Sequence, residues 1–348
     1  MSQANGDSSH ITRSSQPAPA KGLLGGRPTI GFLTASLRDP YATFTWTNVM
    51  DVAKNRDVTV LNIVGSRLRS STRQQKPEQL MFELVEPALL DGLIVFSEML
   101  YHFVSVTELR QFLNRFRALP MTSIGVVDGI PSVMLDKEHG MQQLVDHLVE
   151  EHGYRQLAYL SGPAGEQTAE ALYRGFLKGF AKHDIPFDPA LVIPNQPSWG
   201  DPIGTDGVRI LLDERNLQPG IDFECIVACG DREATTAVEA LQARGVRVPY
   251  DVAVTGFNNL EQSHLACISL TTGDRRVDEV ARRATGMLLD MVEGQAPPPT
   301  EILPPELVIR WSCGCIPQMV RQAASDKTNS TLSSAARSGT VITARDKK

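Results

Sequence analysis

The chain has 348 residues, 42% hydrophobic and 21% charged, which is enough apolar material for a substantial core and, by length, for two domains. Its net charge of -6 gives no electrostatic reason to expect nucleic-acid binding, because a phosphate-tracking surface needs clustered Lys and Arg. No stretch approaches the roughly 18 to 20 uninterrupted apolar residues of a membrane helix. Residues 1–26 lack the apolar segment of a secretory signal, and five scattered cysteines are not the even framework of a small secreted domain, so a cytoplasmic chain with reduced thiols is expected.

Residues 1–26, rich in Ser, Gln, Ala and Gly, read as a disordered leader. The first strand, Thr29–Thr34, runs into Ala35–Tyr41, which places Asp39 and Tyr41 near a strand's carboxyl end. A helix is expected over 44–56 with Trp46, Val49, Met50 and Ala53 on one face, and Trp46 reads as core packing. A second strand at 58–64 leads to a polar loop, 65–76, whose Arg67, Arg69 and Arg73 read as solvated, since no Gly-rich turn opens a helix beside them. A helix over 77–90 leads to a strand ending at Phe96-Ser97. Another helix over 106–119 leads to a strand ending at Asp128-Gly129. The next stretch, 128–136, is expected to cross to a second lobe.

In the second half, helices at 140–151 and 168–183 flank the strand Leu157–Leu160. His139, His147, His152 and His183 do not make the paired spacing of a zinc enzyme and read as surface or capping residues. Trp199 stands among small and polar residues. It is either a lid on a neighbouring core or a stacking surface for a ligand ring. The run Cys225–Asp231 is a strand that reaches Gly230-Asp231 before a helix over 232–244. The buried strand Asp251–Phe257 then ends in the polar turn Asn258–Glu261, at the edge where open α/β sheets place their ligands. A helix over 276–293, a proline-rich crossing over 297–305 and a final strand over 306–311 follow. Residues 316–348 read as a flexible tail or linker.

Repeated strand–turn–helix units argue for parallel sheets with helical crossovers. No GxGxxG follows the first strand, no GxSxG is present, and no ligand spacing marks a metal, so neither a cofactor nor an enzyme is expected. Cys313-Gly314-Cys315, a lone CxC without evident companion ligands, reads as incidental.

Several motifs in order resemble the ligand-sensing core of LacI/GalR-type repressors: Arg244–Pro249 with Asp251–Val254, Gly256–Asn259, Leu270-Thr271-Thr272, Gly230-Asp231, His152–Arg155, Gly175-Phe176 and Pro305–Arg310. The closing Arg310–Cys315 is similar to versions of this domain fused to bacterial signalling outputs. The resemblance implies an α/β, two-lobed, periplasmic-binding-protein-like fold of type I with three crossings. Its N-terminal lobe would hold 27–131 and 259–293, and its C-terminal lobe 132–258 and 294–315. It further implies a small polar ligand, such as a sugar, held between lobes that close on it, a homodimer formed through the N-terminal lobe, and a downstream signalling domain or partner. By position, the ligand would meet Asp39, Tyr41, Phe96, Ser97, Asp128, Trp199, Asp231 and Asn258, with Asp231 bonding its hydroxyls.

Two departures bear on the ligand class. The usual Arg three residues before Gly-Phe is Leu172, and the usual Asp after the later Gly-Phe is Asn258, so two strong hydrogen-bonding groups are replaced. A pocket that has lost its ligand and serves protein interaction is therefore the competing expectation. The 26 residues before Arg27 are too few and too polar for a helix-turn-helix, so no DNA binding by this chain alone is expected.

Overall fold

The computed structural model describes residues 26–68, 80–101, 104–193, 199, 202–260 and 268–315. The expected leader, the tail after residue 315, and Arg69 and Arg73 of the polar loop lie outside the described residues.

The chain divides into two compact units, each with one six-stranded sheet, and passes between them three times. The first unit runs to Met134 and resumes over Val277–Ile302. The second comprises Leu135–Arg276 and the chain from Leu303.

In the first unit the strands are β1 (Thr29–Thr34), β2 (Thr59–Val64), β3 (Gly92–Phe96), β4 (Met121–Ile124), β5 (Ser132–Leu135) and β11 (Glu301–Leu303), in the order β11-β5-β4-β3-β1-β2. β1 to β5 pair in parallel, and β1 and β3 are buried along their whole length, which is why both read as unbroken apolar runs. Helices α1 (Pro40–Asn55), α2 (Val106–Leu113) and α7 (Val277–Val292) belong to this unit. Pro40 at the first helical position and the Asp39 carboxylate, which accepts from the Tyr41 and Ala42 amides, start α1 four residues before the expected Phe44.

The helix expected over 77–90 is broken. A short helical stretch ends near residue 83, and a single 3-10 turn follows at Pro87–Leu89. Pro87 has no amide hydrogen to continue the ladder. The freed carbonyls of Phe82, Glu83 and Val85 accept instead from the Arg115 guanidinium at 3.0–3.1 Å.

In the second unit the strands are β6 (Leu157–Leu160), β7 (Val192–Ile193), β8 (Cys225–Ala228), β9 (Ala253–Asn258), β10 (Thr271–Asp274) and β12 (Glu306–Val308), in the order β12-β10-β9-β8-β6-β7. All pairings are parallel except β10 with β12. Helices α3 (Lys137–His152), α4 (Gln167–Lys182), α5 (Pro202–Arg209) and α6 (Asp231–Gln242) complete the unit. Leu160, Ile226, Ala228 and Val254 from the sheet, and Leu270 just before β10, pack with Ala234, Ala237 and Leu241 of α6. Leu172 is 1% exposed, so the position where an arginine was expected is part of the core.

Three boundaries differ from the sequence reading. Residues 132–134 stay in the first unit, because β5 pairs with β4. Residues 259–276 belong to the second, because β10 pairs with β9 and β12. Residues 294–302, expected in the second lobe, return to the first, where β11 joins β5. Short strands flanked by proline and turn residues carry no periodicity of their own, so only pairing reveals their sheet.

Candidate functional site

β6 and β8 are neighbours in the second sheet although β7 lies between them in sequence, so strand order reverses at their boundary. Such reversals open the crevice where α/β sheets bind ligands, at the strands' carboxyl ends. β6 runs out into Ser161-Gly162, and β8 into Cys229-Gly230-Asp231, with Asp231 the first residue of α6.

Asp231 is 1% exposed. Its Oδ1 accepts from Thr272 Oγ1 at 2.5 Å and its Oδ2 from the Leu260 amide at 2.8 Å. The carboxylate thus ties the start of α6 to β10 and to the turn after β9. Close packing enforces this: a Cβ on Gly256 would lie 2.4 Å from Asp231 Oδ1, so β9 needs glycine there.

The turn after β9 is backbone-strained. Asn258 and Asn259 have φ of 129° and 53°, a region asparagine tolerates better than most residues. Asn259 is held on both sides of its amide: Nδ2 donates to Asp274 Oδ2 at 2.8 Å, and Oδ1 accepts from Arg310 Nη2 at 2.6 Å. Arg310 also donates through Nη1 to the Leu270 carbonyl at 2.7 Å. Burial pulls the Arg310 guanidinium below its usual value, and the negative charges of Asp231 and Asp274 oppose that shift. The half-buried Asn258 places its amide over Gly230, where an added Cβ would come 3.4 Å from Asn258 Nδ2. Trp199, also half-buried, lays its indole across the end of β6: a Cβ on Gly162 would be 2.7 Å from its Cη2.

At the carboxyl edge of the first sheet, order reverses between β1 and β3. Tyr41 packs edge-to-face on Phe96 at 5.2 Å and donates through its hydroxyl to Glu98 Oε2 at 3.0 Å. Phe96 and Ser97 are fully buried, and the Ser97 hydroxyl donates to the Ile124 carbonyl at 2.9 Å, so neither presents a surface to a ligand. Asp39 uses its carboxylate as the cap of α1. Asp128 is exposed, with its carbonyl accepting from the Arg110 guanidinium. Burial and the nearby Asp128 charge push the Tyr101 hydroxyl up to about 12, keeping it a neutral donor to the Val126 carbonyl. Trp46, expected as core packing, is only half-buried, with its indole Nε1 buried without a hydrogen-bond partner.

Of the expected residues, Trp199, Asp231 and Asn258 come together at one edge of the second sheet, and Tyr41 stands at the corresponding edge of the first. Asn259, Thr272, Asp274 and Arg310 complete the polar network. For Asn259, Thr272 and Arg310 the only sequence signal was membership of motifs quoted for resemblance, and Asp274 had none. A second cluster lies apart from this site: His147, expected as a surface or capping residue, is buried, and the CxC pair has companion residues that the sequence did not reveal. His147 and His152 from α3 meet Cys313 and Cys315, and the four ligand atoms lie within 4.8 Å of one another. Their separation of more than 160 residues hid this from spacing rules.

This architecture, two parallel-dominated α/β sheets with three crossings, is the periplasmic-binding-protein-like fold of type I. Residues 145–313 match the family model of the periplasmic binding protein-like domain. The chain is 30% identical over 191 residues to the HTH-type transcriptional repressor MelR of Bacillus subtilis, covering 53% of each. Against the HTH-type transcriptional repressor PurR of Haemophilus influenzae it is 26% identical over 259 residues, 71% of this chain and 72% of PurR. It thus spans about half the length of MelR, and 43% of the regulator AscG of Escherichia coli.

The transcriptional regulator CelR in complex with cellobiose superposes with a TM-score of 0.68 and 22% identity over 82% of this chain and 85% of that one. The regulator CcpA of Lactococcus lactis gives 0.66 and 20% over 82% and 99%. At these identities the structural likeness speaks for the fold. With the sequence matches, it supports a ligand-binding domain of the LacI/GalR type. No helix among the described residues is long and apolar enough to cross a membrane.

Proposed function

We propose that this chain senses a small polar metabolite of sugar-like chemistry, bound at the carboxyl edge of the second sheet, and passes binding on to a further domain or partner protein. The observation that carries the reading is that the Trp199 indole lies against Gly162 after β6 and the Asn258 amide over Gly230 after β8, the two strands of the reversal. Trp199 offers the ring of a sugar a flat apolar surface, and the Asn258 side chain offers a donor and an acceptor to its hydroxyls. Asp231, with a protein donor on each oxygen, holds the 258–260 turn in place rather than meeting the ligand first. The relatives' names as transcriptional regulators support a signalling role, and a net charge of -6 favours an output other than DNA contact by this chain alone.

The test is thermal unfolding of the purified chain against sugars, sugar phosphates, nucleosides and bases. A ligand at a hundred times its dissociation constant adds about 2.7 kcal/mol to stability. Trp199→Ala should abolish the shift while leaving the unliganded melting temperature close to wild type. A flat response across the panel would refute the sensor reading in favour of a protein-interaction role.

The same reading includes a homodimer formed through the first unit. Leu80, Met81, Leu84 and Leu89 are 40–71% exposed on the broken segment 80–89, an apolar surface of the kind that pairing covers. Sedimentation should show a dimer that Leu84→Asp converts to monomer. A wild-type monomer at micromolar concentration would refute it.

A further inference from the structure

His147, His152, Cys313 and Cys315 lie on two segments of the second unit that nothing in the sensing function requires to meet. His147 is in the penultimate turn of α3 and His152 is its last residue. Cys313 ends the 3-10 turn Trp311–Cys313, and Cys315 follows Gly314, which has φ 99°. That left-handed glycine lets two cysteines one residue apart aim their thiols at the same place, which a residue with a Cβ would resist.

The distances match one arrangement. Cys313 Sγ and Cys315 Sγ each lie 3.6 Å from His147 Nε2, and Cys315 Sγ lies 3.3 Å from His152 Nε2. A tetrahedral zinc ion with sulfur at about 2.3 Å and nitrogen at about 2.0–2.1 Å holds its sulfur and nitrogen donors about 3.5–3.6 Å apart. Cys313 and Cys315 are buried, as is His147, while His152 is half-buried and stacked on Tyr154 at 5.1 Å. From this geometry we infer that the second unit carries a structural Zn2+ site made by His147, His152, Cys313 and Cys315.

The chemistry is self-consistent. An imidazole binds a metal in its neutral form, through the lone pair of an unprotonated ring nitrogen. The two thiols release one proton each to solvent as the metal binds. Two thiolates, two neutral imidazoles and Zn2+ then sum to zero charge, which a buried site tolerates. Thr271 Oγ1, 3.1 Å from Cys313 Sγ, can donate to that thiolate and steady it. Mixed thiolate and imidazole donors in a tetrahedron select zinc over calcium or magnesium. Among the described residues, a second group, Asp146, Glu150 and His183, already holds the Lys182 ammonium at 2.8 and 3.2 Å from its carboxylates, and offers a cation no comparable place. The metal fastens the segment carrying residues 311–315 to the end of α3.

The full-length, untagged chain, purified without chelator, should carry about one zinc per chain by elemental analysis. Stripping the metal should lower the melting temperature, and added Zn2+ should restore it. Co2+ added to the stripped, reduced chain should give the intense visible bands of a tetrahedral thiolate site. Cys315→Ser and His152→Gln should each lose the bound metal. The wild-type measurements stand without these variants should either fail to fold. A wild-type chain that carries no zinc and, reduced, takes up no tetrahedral Co2+ would overturn the inference. So would folded Cys315→Ser and His152→Gln chains that keep full metal content.

Discussion

Asp231→Ala is the substitution whose cost can be worked out most directly. The carboxylate is buried and accepts at 2.5 Å from the Thr272 hydroxyl and at 2.8 Å from the Leu260 amide. Hydrogen bonds to a charged group are worth about 1.5–3 kcal/mol each. The Thr272 hydroxyl recovers part of its bond by turning toward the Gly273 carbonyl, 3.4 Å away, but the Leu260 amide has no such freedom. Arg310, buried nearby, also loses a compensating negative charge. Against these losses stands the relief of desolvating a carboxylate. The balance is a destabilisation of about 2–4 kcal/mol. For a domain of this size about 1 kcal/mol moves the melting temperature by about 2–4 °C, so a fall of roughly 5–15 °C is expected. Asp231→Asn, which keeps the shape and one acceptor, should fall between the two. Urea unfolding of all three proteins, followed by tryptophan fluorescence and circular dichroism so that separate unfolding of the two units is detected, is the assay. A loss below about 0.5 kcal/mol for the alanine variant, within the range of ordinary surface substitutions, would show that Asp231 does not clip the 258–260 turn.

Two further outcomes follow from individual contacts. The Arg247 guanidinium, hydrogen-bonded to Asp251, holds that carboxyl down at about 2, so its stabilisation is present above the unfolded value near 3.9 and is lost as pH falls from there through about 2. Carboxyl NMR titration should find this low midpoint, and Arg247→Gln should return it toward 3.9; an ordinary midpoint in the wild type would show the pair does not form in solution. Arg115→Ala should release the carbonyls of Phe82, Glu83 and Val85, and amide exchange over 80–89 should accelerate by at least tenfold without spreading to β3. Unchanged exchange there would mean the segment is held by other contacts.

The elements legible in sequence were those with long, regular signals. β1, β3, β8 and β9 are buried on both faces and read as apolar runs, and α1, α4 and α7 have apolar faces long enough to be seen within a residue or a few of their true ends. Of the site, Trp199, Asp231 and Asn258 could be named because each follows a strand's carboxyl end or stands as an aromatic in a polar loop. The role of Asp231 could not. A carboxylate after a strand looks the same whether it faces solvent or, as here, accepts from Thr272 and Leu260.

What the amino-acid sequence determined by itself was the class of fold, through burial patterns that depend only on neighbours a few residues away. It also determined the glycines at 256 and 314, whose places the close packing on Asp231 and the left-handed turn between two cysteines then explained. What only the tertiary structure decided was every pairing across distance. β5 and β11 went to one sheet and β10 to the other, Arg310 reached Asn259, and a Cys-Gly-Cys turn met two histidines of α3. The physical reason is that hydrogen bonds and ligand shells are satisfied in space, and a partner outside the same helix or strand leaves no period or spacing for sequence reasoning to detect.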